Sequence, residues 1–230
     1  MMPRLRHGYR ALVIGSTGAI GHAFCEALRN DPRCAEVVPL SRNHPLPWDL
    51  RSEAGMAALG TALQGPFQLV VDATGALTID GRGPEKRLAD LDGSALAASL
   101  QINAIGPLLL MRHLSPLLAR GERAVWAKLS ARVGSIEDNR KGGWHGYRMA
   151  KAALNQGLQT AAIELARQRP GLVVAALQPG TVRSSLSQPF VGDAGMSATD
   201  AVQGLLAALD RLDPTGRAHF VDWAGRPVPW

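Results

Sequence analysis

Cysteine, aromatic residues and blocks of like charge are all scarce in this 230-residue chain, and each shortage removes a class of explanation. Its two cysteines, Cys25 and Cys34, form no Cys-x-x-Cys unit, and no His/Cys cluster has metal-ligand spacing. Neither a metal site nor a disulfide framework is expected, and the pair reads as two structural thiols of a reducing compartment. Aromatics make up 5% of the residues, and no basic run is interleaved with them. The formal net charge of +6 favours an anionic partner such as a phosphorylated cofactor, but nucleic-acid binding has no motif to support it. No uninterrupted apolar run reaches the roughly 18 to 20 residues that span a bilayer. The short run at 11–14, behind Arg4, Arg6, His7 and Arg10, is too brief for a secretory leader. A soluble, cytoplasmic protein without membrane attachment is the expectation.

What the chain does contain is a hydrophobic content of 46%, enough for one domain with a sizeable core across 1–230. Apolar strand-like runs at 11–14, 36–40, 67–71, 123–129, 172–177 and 217–221 alternate with helical patterns. The helical patterns start at His22, Ala54, Ser94, Tyr147 and Thr199. Continuous apolar strands flanked by helices imply a sheet covered on both faces. The expected fold is a doubly wound, Rossmann-like α/β domain with a parallel seven-stranded sheet. The helix at 94–120 is apolar beyond one face and contains Pro107 and Pro116, where a kink or division is expected. Residues 77–93 read as a variable surface segment, and 184–198 as a loop over the substrate. Lys128 stands inside an otherwise apolar strand pattern without an account.

Two stretches carry chemistry. The first is Gly15-Ser16-Thr17-Gly18-Ala19-Ile20-Gly21, between a strand and a helix. Glycines there permit a tight turn and close backbone approach, and the helix N-terminus offers N–H groups to a pyrophosphate. After the second strand comes Arg42 with no acid beside it, which suits a 2′-phosphate better than a free ribose hydroxyl; the competing reading is a solvated loop arginine. Asp49 is a candidate N-cap or adenine contact. The second stretch runs from Ser130 to Lys151. Tyr147 and Lys151, four apart, share one helix face. An ammonium fixed one turn from a phenol favours the phenolate and moves the group toward useful acid–base range.

Taken in order, the Gly15–Gly21 turn, Ala73-Thr74-Gly75 after a strand, Asn103 in the long helix, Ser130 at a strand end, Tyr147-x-x-x-Lys151 and Pro179-Gly180 resemble the short-chain dehydrogenase/reductase family over nearly the whole chain. The wording around Ser130 and Tyr147, and the tail Asp222-Trp-x-Gly-x-Pro-x-Pro-Trp230, is similar to its C-factor branch. That resemblance implies NADP(H) in preference to NAD(H), a small carbonyl or alcohol substrate, and a homodimer or homotetramer. It implies Tyr147 as the acid at the carbonyl oxygen, Lys151 as its activator and ribose ligand, and Asn103 in the proton relay. Gly15, Ser16, Thr17, Gly18, Ile20 and Gly21 would line the pyrophosphate, with Arg42, Asp49, Ala73, Thr74 and Gly75 also at the cofactor. Pro179, Gly180 and Thr181 would lie along the nicotinamide. Trp144, His145, Arg132 and Phe190 would shape the pocket. Two departures stand out. The middle glycine of the turn sits one place early, at Gly18, and the second serine at the strand end is Ala131. Carbonyl polarisation then falls to Ser130 or to Ser135, or is weak. A non-catalytic or weakly catalytic dinucleotide-binding signalling protein is therefore the second reading.

Overall fold

The computed structural model describes residues 1–192 and 194–230, so Asp193, within the expected substrate loop, lies outside the described residues. Strand β1 (Tyr9–Ile14) leads into helix α1 (Ala19–Arg29), then β2 (Cys34–Leu40), α2 (Glu53–Ala62) and β3 (Leu69–Asp72). Helices α3 (Gly93–Leu100) and α4 (Gly106–Leu114) follow, joined by a π-helical turn, Gln101–Ile105. Next come β4 (Ala124–Leu129), α5 (His145–Ala166), β5 (Leu172–Gln178), the short α6 (Gln188–Val191), α7 (Ala198–Arg211) and β6 (Ala218–Asp222). The strands form one parallel sheet in the order β2-β1-β3-β4-β5-β6.

Period-2 alternation divides the core. Leu12, Ile14, Val70, Trp126, Val174 and Phe220 face the side covered by α2, α4 and α5. Ala11, Val13, Leu69, Val71, Val125, Val173 and Val221 face the side covered by α1 and α7. Each fully buried large apolar side chain contributes about 1.5–3 kcal/mol, and most strand positions are fully buried on both faces.

Two expectations need correction. The sheet has six strands, not seven, and they are the six apolar runs of the sequence. β2 is the edge strand, where Pro39 is tolerated. The long helix is split at Pro107, as that proline implies. Pro107 has no N–H to give the carbonyl of Asn103 four residues earlier, and the chain widens to a π turn in which Gly106 N donates to Gln101 O. The second correction is that 93–117 is, by length and composition, apolar enough to cross a membrane. Here the π turn interrupts it, and Leu110, Met111 and Leu114 are buried in the core. Segment 184–196 is also not wholly loop: it holds α6, and a parallel bridge between Val182 and Met196 closes its base.

Candidate active site

The strand order reverses direction between β1 and β3, the place where parallel α/β sheets open a crevice at the carboxyl ends of their strands. Gly15, Ala73, Ser130 and Pro179 each directly follow β1, β3, β4 and β5. The floor of that crevice is very tight. Gly15 has φ +80°, and a Cβ there would lie 3.1 Å from the Ala73 carbonyl carbon and 3.2 Å from the Thr74 nitrogen. A Cβ at Gly21 would collide with the Gly15 carbonyl, whereas Gly18 has room. The early position of Gly18 therefore costs the turn nothing; Gly15 and Gly21 are the two that the packing requires. Helix α1 starts at Gly18 with no side-chain cap and no acidic residue in its first turn. Its leading N–H groups are free and its dipole is uncompensated, with Ser16 half-buried and Thr17 exposed beside it. Ile20 packs on the core beneath. This donor set fits a phosphate anion.

Arg42 lies exposed beyond β2, and among the described residues no acid pairs with it. Asp49 is not the cap of α2. Ser52 holds that place, accepting from Gly55 N at 3.2 Å, while Asp49 Oδ1 closes a turn by accepting from Arg51 N at 2.7 Å.

Asn103, fully buried in the π turn, donates Nδ2 to Ala76 O at 2.9 Å and accepts from Ala76 N at 3.0 Å. That two-way clamp fixes the backbone after Gly75. Gly75 has φ +147°, and a Cβ there would sit 3.2 Å from Asn103 Oδ1 and 3.6 Å from Lys151 Nζ. The loop after β3, the π turn and α5 thus meet at one residue.

Tyr147 and Lys151 occupy the first turns of α5. The helix begins at Trp144, whose φ of 55° is left-handed and whose side chain caps nothing. The cap comes instead from the segment read as a variable surface. Glu85 accepts from Trp144 N through its backbone carbonyl and from Gly146 N through its carboxylate at 3.0 Å. Glu85 carried no periodic signal, so sequence reasoning passed over it. Trp144 meets Tyr147 and Phe190 edge-on, with centroids at 6.3 and 5.3 Å, bringing two of the expected pocket residues together. His145 starts α5 beside them. Arg132 is drawn away: its guanidinium reaches Asp138 at 3.4 Å and Asp222 at 3.7 Å. A cavity of about 310 Å³ opens onto Tyr147 between Leu77, Ile79, Pro84, Ala95 and Ala98.

Burial pushes the Tyr147 phenol up to about 12, so in the chain by itself it is a protonated acid at neutral pH. Lys151 Nζ lies 5.6 Å from the Tyr147 ring centre and donates to Leu129 O at 3.0 Å. Burial first, and then the like charge of Lys128, hold the Lys151 amine well below its ordinary range, against the pull of Asp72. Lys128 pairs across the β3/β4 register with Asp72, and both are buried.

Both candidate serines have their hydroxyl protons engaged elsewhere. Ser130 Oγ donates to Asn155 Oδ1 at 2.6 Å, and Ser135 Oγ donates to Trp230 O at 3.1 Å. Gly180 has φ +81° and lies against Trp223, while Thr181 O accepts from Met196 N at 3.0 Å. Pro179, Gly180 and Thr181 thus form the root of the 184–198 segment.

Comparison with known proteins agrees with this geometry. The family described as enoyl-(acyl carrier protein) reductase matches residues 24–218. The C-signal protein of Myxococcus xanthus is 38% identical over 144 residues, 62% of this chain and 83% of that one. The 1-hydroxy-2-glutathionyl-2-methyl-3-butene dehydrogenase of Rhodococcus sp. strain AD45 is 28% identical over 186 residues, 79% of this chain and 78% of that one. Among solved structures, the NADPH-bound carbonyl reductase from chicken fatty liver superposes with a TM-score of 0.83 at 21% identity, over 98% of this chain and 95% of that one.

Proposed function

We propose that this chain, which belongs to the short-chain dehydrogenase/reductase family in its C-factor-like branch, is an NADP(H)-dependent oxidoreductase acting on a carbonyl or alcohol substrate. The observation that carries the reading is a protonated, half-buried Tyr147 at the mouth of a cavity, one helical turn from Lys151 and beside the Gly75 junction. When bound, the nicotinamide supplies or accepts the hydride. The glycine turn and the start of α1 hold the pyrophosphate. Arg42, without an acidic partner among the described residues, reads the 2′-phosphate. Pro179, Gly180 and Thr181 lie along the nicotinamide face. Tyr147 gives its proton to the carbonyl oxygen, and Lys151 serves the ribose and resupplies the phenol. Asn103 fixes the backbone against which that transfer runs. The cavity wall is mixed: Leu77, Ile79 and Ala98 give it an apolar side that suits the body of a small or medium substrate, and Asp80, Arg82 and Glu85 give it a polar one. Free Cys25 and Cys34 suit the cytoplasm. Exposed Ile105, Met149 and Ile163, on the long helix and on α5, suit pairing into a homodimer or homotetramer.

The test is NADPH oxidation over a panel of aldehydes, ketones and quinones, alongside NADPH and NADH binding by fluorescence. Turnover of at least one carbonyl, with NADPH bound more tightly than NADH, supports the reading. Tight NADPH binding with no turnover supports the second one, a dinucleotide-binding signalling protein. That alternative draws on Ala131 and on two serines whose protons face inward.

A further inference from the structure

We infer that Lys128 is a positioning residue for Lys151: anchored by Asp72 and the Thr74 turn, it props the backbone leading to Gly75, against which the Lys151 amine packs, and sets a second buried amine in the same corner. The starting point is a lysine in the middle of the sheet. Lys128 is 1% exposed, a position that disfavours the charge unless it is matched. Here it is matched. Its three N–H donors have three acceptors at short range: Asp72 Oδ1 at 3.0 Å, Thr74 O at 2.6 Å and Thr74 Oγ1 at 3.1 Å. Asp72 Oδ1 also accepts from Thr74 N at 2.9 Å and Thr74 Oγ1 at 2.6 Å. The ammonium and the carboxylate together lock the turn before Gly75, against which Lys151 Nζ and Asn103 Oδ1 pack.

Lys151 is served differently. It is equally buried, yet Leu129 O is its one acceptor among the described residues. The charged groups acting on it are Lys128 on β4 and Asp72 on β3, and Tyr147 faces it from its own helix. Asn103 and the Leu129 carbonyl carry no charge. Asp72 spends its Oδ1 on Lys128 and Thr74, and among the described residues its Oδ2 has no partner. One carboxylate thus shares a buried region with two amines and satisfies one of them. The arrangement makes Lys151 the amine that releases its proton, which is what a relay to Tyr147 needs. This consequence rests on the proposed function, whereas the charge relation itself does not.

The chain has only four lysines, Lys86, Lys128, Lys141 and Lys151, so ¹³Cε-lysine labelling gives four signals to follow against pH, without cofactor or substrate. Lys→Arg exchanges at exposed Lys86 and Lys141 assign theirs. In the unmodified protein Lys151 should titrate below Lys86 and Lys141. Lys128→Gln should raise its midpoint, because the repulsion goes while Asp72 stays. Asp72→Asn should lower it, and Lys128→Arg should restore the original value. Opposite shifts from two neighbouring changes are not a signature of structural damage. Titration of Lys151 together with Lys86 and Lys141, or shifts of the same sign or none in the two variants, would overturn the proposal. If Lys128→Gln does not fold, the unmodified protein and Asp72→Asn decide by the same criteria. Failure here leaves NADPH turnover untouched, so the two readings fail separately.

Discussion

Asp31 and Asp72 are both buried carboxylates at the ends of the same parallel sheet, and the fold treats them in opposite ways. Asp31, before the amino end of β2, has both oxygens engaged: Arg33 N on one, and the Met1 ammonium, Met2 N and the Tyr9 hydroxyl on the other. Asp72, at the carboxyl end of β3, leaves Oδ2 without a partner among the described residues and stands among two buried amines. An unsatisfied buried polar group costs about 1–3 kcal/mol. Asp31 uses both its oxygens to hold the chain together. Asp72 keeps one of its own unsatisfied among the described residues, at the end of the sheet where proton transfer and anion binding are proposed. The same contrast separates Glu85, engaged as the cap of α5, from Arg42, which has no acidic partner among the described residues.

The largest test of this contrast is Asp31→Ala. It removes an acceptor from four donors and should cost about 3–5 kcal/mol in denaturant unfolding, with NADPH affinity unchanged; a parallel loss of cofactor binding would break the comparison. Next is Ala131→Ser, which adds a hydroxyl at the corner where Ser130 and Ser135 already have their protons engaged. A gain toward the 10²-fold worth of one such donor is expected in kcat, and steady-state kinetics on the best substrate of the panel would read it. Acid titration of stability comes third. Burial alone would raise the Asp31 carboxyl, but the four hydrogen bonds outweigh it and take it from the ordinary 3.8 down to about 2. The folded state therefore binds fewer protons than the unfolded one in this window. About 2 kcal/mol of stability, present above pH 4, should drain away as pH falls toward 2, and Asp31→Asn should flatten that decline. The smallest effect is Arg42→Ala, which should weaken NADPH about 10-fold, in line with loss of a charged hydrogen bond, while leaving NADH binding as it was.

Much of this arrangement could be read before folding. The glycine turn after β1 announces itself because only glycine tolerates the approach of the β3 exit to Gly15. Tyr147 and Lys151 are visible because a helix converts a spacing of four into a shared face. Asn103 could be placed on the long helix, and Pro107 marked where that helix would break. The rest depended on contacts between distant segments. Lys128 was conspicuous in its strand, but its meaning required the β3/β4 register that sets it opposite Asp72. Glu85 lies in a stretch without periodicity and acts only because the segment folds back onto α5. The directions of the Ser130 and Ser135 hydroxyls are set by Asn155 and by the tail at Trp230. The expected seventh strand had no apolar run behind it: the sequence holds six, and each forms a strand.

The central claim is that the carboxyl ends of the strands carry a working proton donor in Tyr147. It is tested most directly by kcat for carbonyl reduction with saturating NADPH in Tyr147→Phe beside the unmodified protein. This account predicts a loss of about 10²–10⁴-fold with NADPH binding and thermal stability retained; equal turnover in the two proteins would contradict it.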